Sequence, residues 1–246
     1  MQLHELQIAL NDTLLAQVFS FKIDKSLLDT FKLDLAIVDS SLQTTSQLGK
    51  KNKAVAAING GFFNTKEYYS VTYLEKEGIA VANTRSSPAR RKAKDYFLNG
   101  VILMDTLGRI TFEPVKEDVY YETSKKERWV LVAGPLLIDQ GKTKQLPSIP
   151  FVSKRHPRSC ICESEAAIYL IVVDGRSENS VGINLNELQN VLSGDFFECL
   201  NAVNLDGGGS STLWLNTNKN PAVLNQPSDA SGERKVHNAI VLLPKN

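Results

Sequence analysis

Short apolar runs, each bounded by glycine, proline, asparagine or aspartate, dominate this chain of 246 residues. Runs of this kind are typical of β-strands in a buried sheet, so the chain is expected to fold around a sheet-rich core. Residues 105–108 separate two such runs and have the composition of a hairpin turn, and residues 139–142 form a second turn candidate. The clearest runs are 55–58, 101–104, 130–132, 136–138, 167–173 and 239–243.

Helices are expected to be few. The clearest prediction is a helix over residues 185–193, because Asn184 can cap it, Glu187 completes a capping box and Gly194 follows its last apolar position. A weaker helical pattern lies around residues 42–50. Both are short, so sheets rather than helices determine the architecture.

The composition is that of an ordinary globular protein, with 42% hydrophobic and 22% charged residues. Its formal net charge of +1 gives no general attraction to nucleic acid or to an anionic membrane, so we expect neither as a partner. No apolar run approaches the roughly 18 to 20 residues that span a bilayer. Residues 1–10 do not resemble a signal peptide, but an exported chain whose signal has been removed would look the same, so the compartment stays open.

The segment that most suggests chemistry is 204–212, Asn-Leu-Asp-Gly-Gly-Gly-Ser-Ser-Thr. It places the Asp206 carboxylate at the end of a strand-like run and follows it with three glycines, whose amides can converge on an anion. A carboxylate beside such a cradle can serve as acid, base or nucleophile. The alternative is a glycine-rich turn in which Asp206 accepts the turn hydrogen bonds.

Other polar groups also follow apolar strands, where catalytic groups often lie on a rigid scaffold. Asn59 and Gly60 end one run, and Asp174 ends another, followed closely by Arg176. Arginine can grip a phosphate through two parallel hydrogen bonds. Each segment could instead be a tight turn. The further arginines at candidate positions are Arg155, Arg158 and Arg234, which could form surface ion pairs rather than an anion clamp.

The three cysteines, Cys160, Cys162 and Cys199, lack zinc-site spacing and are interpreted as buried thiols. Free thiols in an odd number slightly favour a reducing compartment. None of the three histidines has a metal-site spacing, although a site built from oxygen ligands alone stays open. The basic run 85–94 could steer an anionic polymer, but a solvated loop is the ordinary explanation for such a run.

Seven segments of this chain occur in the order seen in the phosphodiester glycosidase family, which the chain therefore resembles. The resemblance covers about residues 50 to 245, and each motif is short but the ordered set is specific. Two departures are Ser159 followed by Cys160, where relatives have threonine and small residues, and the pair Lys235 and His237 near the last motif. The seven segments are 59–64, 133–138, 155–159, 173–176, 182–188, 204–212 and 232–238.

The resemblance implies an α+β fold, a single domain of mixed, mostly antiparallel β-sheets flanked by a few helices. Residues 51–246 would form the glycosidase-like domain, with residues 1–50 packing on it as strands and a helix that match no motif. The motif loops would gather at one cleft. The activity implied is hydrolysis of the glycosidic C–O bond of a sugar-1-phosphodiester, such as an N-acetylglucosamine-1-phosphodiester or a cell-wall or exopolysaccharide phosphodiester. No cofactor is expected, and a divalent metal stays open.

Applied to this sequence, the resemblance suggests roles for the candidate residues. Asp206 and Asp174 would form the carboxylate pair, which activates water or stabilises an oxocarbenium-like centre. Asn59 and Gly60 would position the sugar or the phosphate. The phosphate would be held by Arg155, Arg158 and Arg234, assisted by the amides of Gly207, Gly208, Gly209 and Ser210. Arg176 would also bind substrate.

Two alternatives to a glycosidase remain. A non-catalytic module could bind phosphosugars or anionic glycans with the same arginines and glycine loops. A metal-dependent phosphodiesterase would instead cleave the P–O bond. A serine hydrolase using Ser210 is disfavoured, because the Gly-x-Ser-x-Gly elbow does not occur around it.

Overall fold

The computed structural model describes residues 1–38, 40–84, 96–124, 126–216 and 221–245. Within these residues, four α-helices and two 3-10 helices, Lys25–Asp29 and Gly208–Ser210, accompany the strands. The α-helices are α1 (Thr45–Lys51), α2 (Asp118–Ser124), α3 (Pro150–Ser153) and α4 (Leu185–Ser193). The strands are β1 (Gln2–Ala9), β2 (Leu15–Asp24), β3 (Phe31–Ile37), β4 (Gln43–Thr44), β5 (Ala56–Asn59), β6 (Leu74–Lys76), β7 (Ile79–Ala82), β8 (Gly100–Asp105), β9 (Ile110–Pro114), β10 (Glu127–Ala133), β11 (Leu136–Asp139), β12 (Lys142–Thr143), β13 (Arg158–Glu163), β14 (Ala167–Val173), β15 (Asn201–Asn204), β16 (Leu213–Asn216), β17 (Pro221–Val223), β18 (Lys235–Val236) and β19 (Asn238–Pro244).

The strands form three large sheets and one small one. The largest sheet has the order β1-β2-β14-β13-β15-β11-β12, and the two five-stranded sheets have the orders β7-β6-β10-β8-β9 and β17-β16-β5-β19-β3. Strands β18 and β4 form a separate pair. Neighbouring strands in the described parts of the chain run antiparallel. The predicted α+β fold with mostly antiparallel sheets is therefore confirmed.

One hydrophobic core joins the three large sheets. Its buried side chains include Leu170 and Val203 from the seven-stranded sheet, Ile58 and Ile240 from one five-stranded sheet, and Leu131 from the other. Because side chains alternate across a strand, the opposite face of the seven-stranded sheet needs a separate cover. Helix α4 supplies it, since its apolar stripe packs in a second core cluster with side chains of that face.

The predicted turns and helices are found. Hairpins join β8 to β9 and β11 to β12, as expected for residues 105–108 and 139–142. Helix α4 has the predicted bounds, and Asn184 and Glu187 form its capping box. Helix α1 begins at Thr45, later than the pattern over 42–50 suggests, because Thr44 caps it from an extended conformation.

The first strands are integral to the sheets. Strand β2 pairs with β14 along seven residue pairs, and β3 pairs with β19, so the N-terminal segment and the motif-bearing segment share two sheets. The basic run 85–94 lies outside the described residues. Within the described residues, no helix is long and apolar enough to cross a membrane.

The expectation of three buried free thiols is wrong for two of them. Cys162 and Cys199 form a disulfide with a Cα–Cα distance of 5.9 Å, while Cys160 is a buried free cysteine. Cys162 lies near the end of β13 and Cys199 just before β15, and these two strands pair in the sheet. The pairing removes the argument from free thiols for a reducing compartment, because disulfides persist chiefly in oxidising ones.

Candidate functional site

The candidate site lies where the ends of four strands meet. Strand β13 runs between β14 and β15 and is antiparallel to both, so its first residues adjoin the last residues of its two neighbours. Arg158, at the start of β13, pairs with Val173 at the end of β14. The end of β5, from a different sheet, joins the same place through Asn59. Two of the three large sheets thus contribute strand ends to the same place, which we call the site edge.

Backbone contacts connect the seven motif segments. Gly134 and Asn204 exchange hydrogen bonds of 2.8 Å, and the amide of Gly61 donates to Oδ1 of Asn238 at 2.8 Å. Gly182 adopts a φ of +85°, and a β-carbon there would lie 2.6 Å from the carbonyl carbon of His156. Only glycine permits that approach. The sequence motifs therefore form one contiguous site.

Asn59 holds the segment that carries Asp206. Its Nδ2 donates to the backbone carbonyl of Asp206 at 2.6 Å, and its Oδ1 accepts from the Ser159 hydroxyl at 2.7 Å and from the Thr212 amide at 3.1 Å. The amide of Asp206 donates to the carbonyl of Gly60 at 3.1 Å. Because Asn59 is 0% exposed, its side chain joins protein segments rather than facing a ligand.

Asp206 as a residue is partly exposed on this edge, and its carboxyl has an unusual pKa. Burial raises that pKa to about 6, while the nearby Ser210 hydroxyl, the Arg234 guanidinium and the Gly207 amide each lower it. The Gly207 amide donates to Oδ1 of Asp206 at 3.0 Å. The Ser210 hydroxyl is close enough to affect the carboxyl but does not meet hydrogen-bond geometry. Asp206 therefore titrates near neutral pH.

The glycine segment is packed more closely against protein than an open anion cradle would be. The amide of Gly208 donates to the carbonyl of Pro157 at 2.9 Å, and that of Ser210 donates to the carbonyl of Gly207 at 3.3 Å. A β-carbon on Gly209 would overlap the paired side chains of Asp229 and Arg234. With Gly207 bonded to Asp206, three of the four amides expected to meet a ligand already donate within the protein.

Three of the four candidate arginines are held by partners within the protein: Arg155, Arg158 and Arg234. Arg155 forms an ion pair with Glu187, which raises the pKa of Arg155. Arg158 is 1% exposed and donates to the carbonyls of Ile183, Phe151 and Lys154 at 3.1, 2.7 and 2.9 Å. Burial and the neighbouring Arg176 lower the pKa of Arg158 to about 10, so it stays charged at neutral pH. Because Arg158 is buried, its positive charge acts on the site from the protein interior and not by direct contact with solvent.

Arg176 and Arg234 lie above the glycine segment. Arg176 is exposed, and its Nη2 would be 3.1 Å from a β-carbon on Gly208, which itself has a φ of +63°. Its hydrogen bond to Ser228 is a weak one of 3.4 Å, and among the described residues it forms no ion pair. Arg234 instead makes two hydrogen bonds to Asp229, of 2.7 and 2.9 Å. Arg176 is therefore the candidate arginine best placed to meet an anion.

Asp174 is almost enclosed, at 3% exposure. Its carboxylate accepts from Nδ2 of Asn225 at 2.9 Å and from the amide of Gln226 at 2.9 Å. Burial raises the pKa of Asp174, and these two hydrogen bonds oppose the rise. The carboxyl is buried and accepts both hydrogen bonds, so its first effect is to fix the segment that donates to it.

The segment 225–229 is part of the site although no sequence argument pointed to it. Besides Asn225 and Gln226 on Asp174, it provides Ser228 beside Arg176 and Asp229 beside Arg234. One five-residue loop thus contacts a candidate carboxylate and two candidate arginines. Its sequence, Asn-Gln-Pro-Ser-Asp, has ordinary turn composition and carries no signal that distinguishes it from other loops.

Two histidines, His156 and His237, have their pKa values lowered by their surroundings. Burial and the nearby cations Arg158, Arg176 and Lys154 lower the pKa of His156, which favours its neutral form. His237 is buried and faces a groove of about 580 Å³ whose other lining residues include Lys51 and Tyr68. The described parts of the chain hold no cluster of three or more potential metal-ligating histidine, cysteine, aspartate or glutamate residues.

Comparisons with known proteins agree with this architecture. The chain superposes on the catalytic domain of zebrafish N-acetylglucosamine-1-phosphodiester alpha-N-acetylglucosaminidase, auto-inhibited by its pro-peptide, with a TM-score of 0.76 and 18% identity over 99% of this chain and 83% of that one. A hypothetical protein from Synechocystis gives a TM-score of 0.72 and 17% identity over 99% of this chain and 62% of that one. At these identities the likeness shows the fold.

A relative with clearer sequence similarity is the SPbeta prophage-derived uncharacterized protein YomE of Bacillus subtilis strain 168, 26% identical over 204 residues. The match covers 81% of this chain but only 30% of that relative's length. The family model described as phosphodiester glycosidase matches residues 52–243. That match includes every motif segment gathered at the site, and on this ground the chain belongs to the phosphodiester glycosidase family.

Proposed function

We propose that this protein hydrolyses the glycosidic C–O bond of a sugar-1-phosphodiester. The observation that carries the proposal is the raised pKa of Asp206, about 6, on an edge where the exposed Arg176 also lies. A carboxyl that titrates near neutral pH beside an available guanidinium suits chemistry on an anionic substrate. Membership of a glycosidase family supports the same reaction class.

Arg176 is assigned to the phosphate. Its guanidinium has no carboxylate partner among the described residues, whereas those of Arg155 and Arg234 do. A phosphodiester can therefore bind Arg176 without displacing an existing ion pair. Arg158 adds positive charge from beneath, and Arg155 holds helix α4 through Glu187.

Asp206 is assigned to the reacting carbon. The departing phosphate monoester is already a good leaving group, so the step needs little acid assistance. The ionised Asp206 carboxylate accepts a proton from water while the water oxygen bonds to C1. The C1–O bond breaks, and its electron pair leaves on the phosphate oxygen. The products are a sugar with a free C1 hydroxyl and a phosphate monoester.

Asp174 is assigned a supporting role. Its buried negative charge holds the 225–229 loop, which in turn positions Arg234 through Asp229. The charge also lies beside the site, where it favours a developing positive centre on the sugar. Asn59 supports the reaction by fixing the backbone of Asp206.

The test is release of reducing sugar from a panel of sugar-1-phosphodiesters, including an N-acetylglucosamine-1-phosphodiester. We expect turnover by the wild-type protein, and a loss of at least about a hundredfold in Asp206→Asn, because the isosteric amide cannot accept the proton. Arms with chelator and with added divalent metal accompany both proteins. Saturable binding without turnover by the wild type would identify a binding module and contradict the proposal.

A further inference from the structure

Three phenylalanine rings contact one another at an angle near the candidate site, with interplanar angles of 64° between Phe62 and Phe151 and 44° between Phe97 and Phe151. The centroids of Phe62 and Phe151 are 5.9 Å apart, and those of Phe97 and Phe151 are 5.2 Å apart. All three rings are half-buried. They come from separate segments: the turn after β5, the approach to β8, and helix α3. Because these segments are distant in the chain, the tertiary fold brings the three rings together.

The ring cluster stands apart from the hydrophobic cores. Phe151 packs at the margin of the second core cluster, but Phe62 and Phe97 join none of the core clusters formed by the described residues. Aromatic side chains contribute most to stability when they are buried in such a core. Two aromatic rings that are neither buried in a core nor fully exposed are therefore candidates for ligand contact.

Short contacts connect the ring cluster to Asp206. The Phe151 ring lies 5.0 Å from the guanidinium carbon of Arg158. The Arg158 side chain, in turn, passes within 3.8 Å of the place a β-carbon on Gly207 would occupy, directly after Asp206. From the other side, Phe62 follows Gly60, whose carbonyl accepts from the Asp206 amide. Contacts through Arg158 and through the Gly60 backbone thus join the rings to the segment that carries Asp206.

The backbone before Phe62 is fixed. The Gly61 amide donates to Oδ1 of the buried Asn238, and the Phe62 carbonyl accepts from the Val71 amide at 3.0 Å. A ring on such a backbone is preorganised, so little entropy is lost when a ligand packs on it. A pyranose ring has an apolar face of C–H groups and a rim of hydroxyls. The apolar C–H face can pack on an aromatic surface, while the hydroxyl rim stays in water or contacts polar groups.

We propose that Phe62, Phe97 and Phe151 form an aromatic platform that binds the apolar face of the sugar on the C1 side of the scissile bond. The proposal rests on the proposed function. It assigns the two halves of the substrate to two different parts of the site. Arg176 binds the phosphate, and the aromatic platform binds the sugar.

The test measures binding rather than turnover, in the Asp206→Asn background. The probes are methyl phosphodiesters of N-acetylglucosamine, glucose, galactose and mannose, each linked through C1, with dimethyl phosphate as the probe that lacks a sugar. Dissociation constants are measured by calorimetry or NMR titration. Phe62→Leu and Phe97→Leu remove an aromatic face, Phe62→Tyr keeps it, and Phe196→Leu removes a ring that is 46% exposed elsewhere.

Each leucine variant should raise the dissociation constant of the best sugar probe about tenfold, the order expected for loss of an aromatic contact. Dimethyl phosphate should bind these variants as before, and Phe62→Tyr and Phe196→Leu should match the background protein. Equal weakening of dimethyl phosphate, unchanged sugar binding, or no sugar probe bound at all would each overturn the platform. Platform-dependent binding without turnover in the wild type would instead contradict only the proposed hydrolysis.

Discussion

Asn225 donates a 2.9 Å hydrogen bond from Nδ2 to Oδ1 of Asp174, although 51 positions separate them in the chain. The same amide group donates to the carbonyl of Ser211 at 3.0 Å, and Oδ1 of Asn225 accepts from the amide of Leu213 at 2.8 Å. Asn225 thus links a buried carboxylate to the segment that follows the glycine loop.

Replacement of Asn225 by alanine should destabilise the protein. The substitution leaves a buried carboxylate with one donor fewer, so the free energy of unfolding should fall by about 2 kcal/mol. Urea denaturation measures the change. Ser228→Ala, which removes only a 3.4 Å contact to Arg176 from the same loop, serves as the control and should stay within about 0.5 kcal/mol of wild type. Equal effects of the two substitutions would show that Asn225 has no special role.

Arg176 and Arg155 should differ in their effect on catalysis. Because Arg176 is free to bind the phosphate, Arg176→Ala should lower kcat/KM about 10- to 100-fold, as expected for a lost charged hydrogen bond. Arg155→Ala breaks a pair with Glu187 away from the glycine loop and should lower kcat/KM less than about threefold. Steady-state kinetics on one cleavable diester decides between them. The reverse order would assign the phosphate to Arg155.

The activity should depend on the ionisation of Asp206. Since the proposed base is the carboxylate, kcat/KM should rise with pH and level off above about pH 6, the pKa of Asp206. A profile that falls as pH rises through this range would instead indicate that the protonated carboxyl is the active form. A flat profile between pH 5 and pH 7, in the range set by that pKa, would argue against any role for Asp206 in the rate-limiting step.

Asp206 should also lower stability at neutral pH. Its pKa of about 6 in the folded protein exceeds the roughly 3.9 of an unfolded aspartate, so the folded state binds the proton more tightly. The stabilisation that comes from this tighter proton binding is fully present below about pH 4 and is lost as pH rises through about 6. Asp206→Asn should therefore be more stable than wild type by about 1 to 3 kcal/mol at pH 8, with the difference shrinking toward pH 4. Denaturation at both pH values measures it, and a destabilised variant at pH 8 would contradict the raised pKa.

The disulfide gives a chemical prediction. Denatured protein that has not been reduced should react with one equivalent of a thiol reagent, at Cys160, and reduction should raise the number to three. Loss of the cross-link should lower the free energy of unfolding by about 2 to 4 kcal/mol. Three reactive thiols before reduction, in protein purified without reductant, would show that the pair does not form.

Several central strands were predictable from the sequence because they depend on local patterns. The run before Asp174 becomes β14, and the helix capped by Asn184 has its predicted bounds. Motifs at strand ends also identified the edge where Asp206 lies. These features follow from apolar periodicity and turn chemistry, which act over a few residues.

The partners of the charged groups were not predictable, since they depend on residues distant in the chain. Arg155 meets Glu187 across 32 positions, and Cys162 meets Cys199 across 37. Spacing between neighbouring cysteines carries no information about such a pair. The sequence therefore favoured Arg155 and Arg158 for the phosphate, whereas the fold pairs Arg155 with Glu187 and leaves Arg176 available.

Hydrolysis in oxygen-18 water shows whether the protein cleaves its substrate at the sugar carbon. Mass spectrometry of both products after turnover by the wild-type protein locates the label. We expect oxygen-18 in the C1 hydroxyl of the sugar and none in the phosphate monoester. Label in the phosphate would mean P–O cleavage, and would contradict the assignment of Asp206 to the sugar carbon.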